Sequence, residues 1–261
     1  MGTSVALVRT LGIDLSMRVT GICEIDWEDR TYSSCLLTAP KSDALDRQAE
    51  EIGDWILKVK ASGGWTAIDA PFGYPKAFVA AIESWHNTGA LADADDEDIR
   101  RRVTDKRVQE RQKDLKGSSR GGWSTAPLSP VTDFITPTVI RCARILTKVM
   151  GSEPVDRLGF GSRIVETYPI AVLRCWVVPG TRYYKKSAAD CEAIEEHIKD
   201  CTNLKRQSEQ PQKWTDDHVD ALVCALVARM VEHENPPSRE RAGQRRGASE
   251  VTEAGRGRSA A

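Results

Sequence analysis

Apolar residues recur along this chain with two periods, and the switches between them mark out strands and helices. Val5 to Asp14 is rich in Val, Leu and Ile and ends on a polar residue, as a buried strand does when it delivers one side chain to a sheet edge. Arg18 to Trp27 and Arg30 to Leu37 read as two further strands around the short polar turn Glu28-Asp29, which predicts an antiparallel meander. Ser42 is a candidate N-cap for a helix whose apolar face is Leu45, Ala49, Ile52, Ile56 and Val59. Gly63-Gly64 stops that helix, and Trp65 to Asp69 forms a short strand that Pro71 and Gly73 terminate. A helix crossing from the third strand to the fourth implies a parallel pairing in the sheet.

From Asn87 to Pro130 the pattern changes to an acidic run (Asp93 to Asp98), a basic helical run (Arg100 to Lys116) and then Gly, Ser and Pro, which reads as an exposed insertion. Its charges fit either a solvated helix or a clamp on nucleic acid. Thr138 to Met150 resembles a helix, Arg163 to Thr167 a fifth strand, and Thr215 to Val231 the last helix. Within that last helix Val219, Val223, Leu226 and Met230 supply a core-facing stripe, while Ala221 and Cys224 are small enough for close packing on a sheet. Residues 235–261 offer little to bury and are expected to form a disordered tail. The expected organisation is one domain over residues 1–234 with its insertion at about 87–130, reasonable for 261 residues at roughly 150 per domain.

Composition narrows the class without choosing a function. With 40% hydrophobic and 29% charged residues the chain suits a globular protein, and a formal net charge of -1 advertises no global attraction to nucleic acid. No stretch approaches the roughly 18 apolar residues of a membrane span and no signal peptide stands at the start, so a cytoplasmic protein is expected. Seven scattered cysteines without a C-x-x-C pair suggest neither a disulfide framework nor a zinc site.

Chemistry enters through acidic residues at the ends of apolar elements: Asp14 in LGIDLS, Asp69 in AIDAP, Glu166 in IVETYP, and Asp217 with Asp220 in DDHVDALVCAL. Burying carboxylates costs several kcal/mol unless something compensates them, and a divalent cation does so. Phosphoryl-transfer sites use such clusters to hold two ions about 3.5 to 4 Å apart. Asp217 and Asp220, three apart at a helix start, share a face. Each residue also has a plainer reading. Asp14 and Asp69 could cap turns, Asp216 or Asp217 could answer the helix dipole, and His218 reads as exposed.

The segments G-I-D-L with a following T-G, I-D-A-P, V-E-x-Y-P and H-x-x-D-A-L-x-x-A-L resemble, in this order, the domain-of-unknown-function family 429, described as predicted nucleases of RNase H-like fold. Arg102 to Asp105, R-V-T-D, looks like that family's R-x-x-D motif, and the closing D-H-V-D-A-L-V-C-A-L is similar to the last helix of RuvC-type Holliday-junction resolvases. The resemblance implies an α/β protein of RNase H-like fold, with a central mixed five-stranded sheet, three strands antiparallel and the rest parallel, flanked by helices. It implies metal ligands Asp14, Asp69, Asp217 and Asp220 for Mg2+ or Mn2+, with Asp14, Asp69, Glu166 and Asp220 as the catalytic set. Where RNase H and RuvC commonly carry Glu, this chain has the shorter Asp69.

Two readings of Glu166 stand: a metal ligand, or the partner of Arg102 or Lys185 in an ion pair holding the insertion against the sheet. Arg102 and Lys185 are the candidate contacts to substrate phosphate; without the resemblance, Arg102 and Asp105 read as an ordinary exposed helical pair. The expected activity is metal-dependent hydrolysis of phosphodiester bonds in nucleic acid, DNA or RNA. The rival readings are a non-catalytic module of the same fold that binds nucleic acid or a protein partner, and a nucleotide-binding ATPase-like protein, for which the chain looks too short.

Overall fold

The strands meet in one sheet whose order is set by the helix that follows the meander. In the computed structural model, residues 9–38, 42–115, 127–151, 153, 159, 161–176, 187–207 and 213–234 are described, apart from the side chains of 42–45 and 113–115. Strands β1 (Arg9–Asp14), β2 (Val19–Asp26) and β3 (Thr31–Thr38) form the antiparallel meander, with Asp14 opposite Gly21 and Val19 opposite Thr38. Helix α1 (Ser42–Ala61) carries the chain over one face to β4 (Trp65–Asp69), which lies parallel to β1. Helices α2 (Lys76–Thr88), α3 (Asp96–Arg100), α4 (Val103–Leu115) and α5 (Thr136–Met150) follow, and then β5 (Ile164–Glu166), parallel to β4. Helices α6 (Pro169–Cys175) and α7 (Ala188–Thr202), the two-residue strand β6 (Lys205–Arg206) and α8 (Asp216–Glu234) complete the described chain.

The strand order is β5-β4-β1-β2-β3-β6, and its first five members have the arrangement of the RNase H-like fold. The sheet has six strands rather than the expected five. Two residues of β6, paired to Thr31 and Tyr32 of β3, are too few to leave a period-two signal. Helix α7 also went unpredicted, although its capping box of Ser187 with Asp190 was written in the sequence.

Period-two alternation sorts the sheet residues onto two faces. Leu11 and Ile13 of β1, Ile22 of β2, Ile68 of β4 and Ile164 of β5 pack against α1 and α5. The alternate positions, Cys23, Ile25, Trp65, Ala67 and Val165, pack against α8 and its neighbours. Asp14 follows the parity of Gly12, and Asp69 that of Ala67, so both strand ends turn toward α8.

Helix α8 comes unusually close to β1 and β2 because glycine stands at both contacts. A Cβ added at Gly12 would overlap the Ala221 carbonyl and the Ala225 amide, and one at Gly21 would overlap the Asp217 carbonyl. The sheet-facing line of α8 therefore includes the small residues Ala221, Cys224, Ala225 and Ala228, all buried, while Met230 of the expected stripe is 47% exposed. Gly12→Ala should lower stability by about 1–3 kcal/mol or more, since helix and strand must part. Thermal unfolding checks this, with a fall of roughly 2–4 °C expected per kcal/mol in a domain of this size.

The described part of the 87–130 stretch is docked rather than wholly exposed, and 116–126 lie outside the described residues. Arg102, Asp105 and Gln112 are buried, and the Gln112 side-chain amide donates to the Ala171 carbonyl of α6 at 3.3 Å. The tail expected over 235–261 and Lys185 lie outside the described residues.

A carboxylate cluster as candidate metal centre

Asp14 and Asp69 end neighbouring parallel strands in register, which places two carboxylates side by side on one edge of the sheet. Asp220 arrives from α8, one residue before the Ala221 carbonyl that rests on Gly12. One carboxylate oxygen from each of the three lies within 4.8 Å of the others, and all three residues are half-buried. The three residues are separated along the chain by 55 and by 151 positions, so the fold alone assembles the group.

Like charges at such range repel. At 4.8 Å a pair of full charges costs roughly 3 kcal/mol at an effective dielectric constant of about 20. The donor set is all oxygen, which suits a hard cation such as Mg2+ or Mn2+. The neighbouring thiol, Cys224, is fully buried, and its pKa is pushed well above the usual range by burial first and then by Asp69, Asp14 and Asp220. The thiol is thus held protonated in the field of the three carboxylates.

Glu166 is brought to the same edge but onto the other face. It pairs in register with Ile68 and shares that residue's parity, opposite to Asp14 and Asp69. Both its oxygens are engaged: Oε1 accepts from Arg102 Nη2 at 2.6 Å, and Oε2 accepts from Arg102 Nη1 at 2.8 Å and from the Phe72 backbone amide at 2.9 Å. Arg102 is 7% exposed and also donates to Asp105, from Nη2 at 2.5 Å and from Nε at 3.0 Å. Burial works against its charge, but hydrogen bonds to Asp105 and Glu166 outweigh burial and raise its pKa. Arg102 therefore joins α4 to β5 and, through Glu166, to the turn after Asp69. That is the bracing pair foreseen as one reading of Glu166, and the exposed helical pair is ruled out by burial.

Asp217 stands one turn before Asp220, half-buried, with Oδ2 accepting from the Thr215 hydroxyl at 3.4 Å, and it is not in the three-carboxylate group. His218, expected to be exposed, is 2% exposed because its position on α8 faces the second core. Its ring packs on Trp214 with centroids 5.2 Å apart, Nδ1 lies 2.9 Å from the Thr215 hydroxyl, and burial, followed by Arg206 and against Glu195, lowers its pKa. Tyr168, the tyrosine of the V-E-x-Y-P motif, is a neighbour of the site to which the sequence pattern assigns no role. The half-buried phenol has its pKa raised by burial and by Asp69, against Arg174, with Asp220 and Asp105 adding to the rise, so it stands in the field of the cluster. Its place two residues after Glu166, at the start of α6, was the signal available.

No described helix is long and apolar enough to cross a membrane. No curated protein matches the chain. Among solved structures the chain is similar to T. thermophilus RuvC in complex with Holliday junction substrate, at 11% identity and a TM-score of 0.37, covering 88% of this chain and 97% of that one. A likeness so distant carries no inference about chemistry. The family model described as "Protein of unknown function (DUF429)" matches residues 12–241, a span that takes in Asp14, Asp69, Arg102, Glu166, Asp217 and Asp220, and the chain belongs to that family.

Proposed function

We propose that the protein is a metal-dependent phosphodiesterase acting on nucleic acid, with Asp14, Asp69 and Asp220 as ligands to Mg2+ or Mn2+. The observation that carries this reading is the approach of three carboxylates, from two strand ends and a helix, to within 4.8 Å. A divalent cation bound there supplies Lewis-acid activation of water and neutralises charge building on a phosphate. The chain's own contribution is to hold three acceptors in place before the cation arrives. Glu166 and Arg102 serve this frame from the opposite face, and Tyr168, its pKa raised by burial and by the charge of Asp69, does not give up its proton readily.

Cleavage assays with single-stranded, duplex and branched DNA and RNA in Mn2+ test the reading. Asp220→Asn is expected to lose cleavage by at least about a hundredfold, equal to roughly 2.7 kcal/mol of transition-state stabilisation. Asp217→Asn is expected to stay within about tenfold of the parent, since Asp217 stands outside the group. Equal losses in both variants would move Asp217 into the site, and no cleavage of any substrate by the parent would remove the activity.

A further inference from the structure

Arg141 of α5 is a cation buried where charge balance does not require one. It is 4% exposed, and its described hydrogen-bond partners are all neutral: the Ser16 carbonyl and the Thr20 hydroxyl (2.8 Å) accept from Nη1, and the Gln48 side-chain oxygen (2.7 Å) accepts from Nη2. Its Nε is buried without a partner among the described residues. Burial pulls its pKa down to about 10, so the guanidinium still carries its charge near neutral pH. A buried charge among neutral acceptors is costly, and an apolar side chain of similar volume would serve packing better.

What this guanidinium touches gives its use. Ser16 lies two residues beyond Asp14 and organises the β1–β2 turn, its hydroxyl accepting from the amides of Arg18 at 3.3 Å and Val19 at 3.1 Å. Thr20 closes the same turn by donating to the Ser16 carbonyl at 3.4 Å. One planar fork thus ties the turn after Asp14 to α5 and, through Gln48, to α1. Arg102 does the corresponding service for the turn after Asp69, by way of Glu166 and the Phe72 amide.

We infer that Arg141 is a positioning residue for Asp14: its fork, spanning Ser16, Thr20 and Gln48, fixes the turn that aims the Asp14 carboxylate at the cluster. The inference rests on the metal-centre reading for its consequence and on hydrogen bonds alone for its geometry. Partners that orient a metal ligand typically matter by 10–100-fold in affinity. An ammonium is a point donor on a flexible stem and cannot span three acceptors, so Lys does not replace Arg here.

The experiment uses the full chain with Arg141→Lys and Thr20→Val, and has two readouts. Calorimetric titration with Mn2+ is expected to show about tenfold weaker binding in each folded variant. Amide exchange at Val19, followed by NMR without metal, is expected to quicken at least about tenfold as its bond to Ser16 is released, while exchange at Ile68 in β4 stays as in the parent. Parent-like Mn2+ affinity in Arg141→Lys, or unchanged Val19 exchange, overturns the inference. Should the parent bind no Mn2+, the metal-centre reading fails and the exchange result alone decides the role of Arg141. Should Arg141→Lys not fold, Thr20→Val decides by the same two criteria.

Discussion

Asp14→Asn is expected to raise the melting temperature of the metal-free protein while weakening Mn2+ binding by at least about a hundredfold, the energy of roughly 2.7 kcal/mol. The two effects have one origin. Asp14, Asp69 and Asp220 crowd three carboxylate oxygens within 4.8 Å, so the metal-free fold carries repulsion that Asn relieves at little change in shape. Relief of 1 to 2 kcal/mol corresponds to a rise of about 2–8 °C, measurable by differential scanning calorimetry in the presence of a chelator. Added Mn2+ is then expected to reverse the ranking, by stabilising the parent and not the variant. A turn-capping role for Asp14 gives the opposite sign, since loss of a cap lowers the melting temperature with or without metal.

Arg102→Leu has the second large effect, and it falls on stability. The guanidinium is shared between Asp105 and Glu166 in a site where Asp105 is 1% exposed, so its removal leaves buried anions without a partner. Breaking a buried pair in this way costs about 3–5 kcal/mol, or roughly 6–20 °C for a domain of this size. Glu166→Gln is gentler, because the amide still accepts from Arg102 or Phe72, and it should keep Mn2+ affinity within about threefold of the parent. Thermal melts and Mn2+ titrations of both variants check this pair of expectations. A variant at Arg102 that melts like the parent while KM for nucleic acid rises would return Arg102 to the substrate contact proposed from sequence.

Much of this arrangement was written in the chain. The meander and β4 are short apolar runs bounded by turn residues, α1 has one apolar face at helical spacing, the last helix is a long apolar stretch, and the motifs around Asp14, Asp69 and Asp220 stand near the ends of those elements. Parity, too, was legible for Asp14 and Asp69, each directly following a core-facing isoleucine. Glu166 follows Val165, which packs on the other face, so the same rule separates it from the cluster. What sequence could not supply was depth. Arg102, Asp105 and His218 look like surface residues until the fold provides partners or a second core for them, and Arg141 sits unannounced in an amphipathic helix. Burial of that kind depends on contacts between segments far apart in the chain, which no local pattern records.

Anomalous scattering from a crystal of the parent protein soaked in Mn2+ tests the central claim most directly. The account predicts a manganese peak coordinated by carboxylate oxygens of Asp14, Asp69 and Asp220, and absent from the Asp14→Asn crystal. Manganese found only elsewhere on the surface, with these three side chains unmoved and unligated, would contradict it.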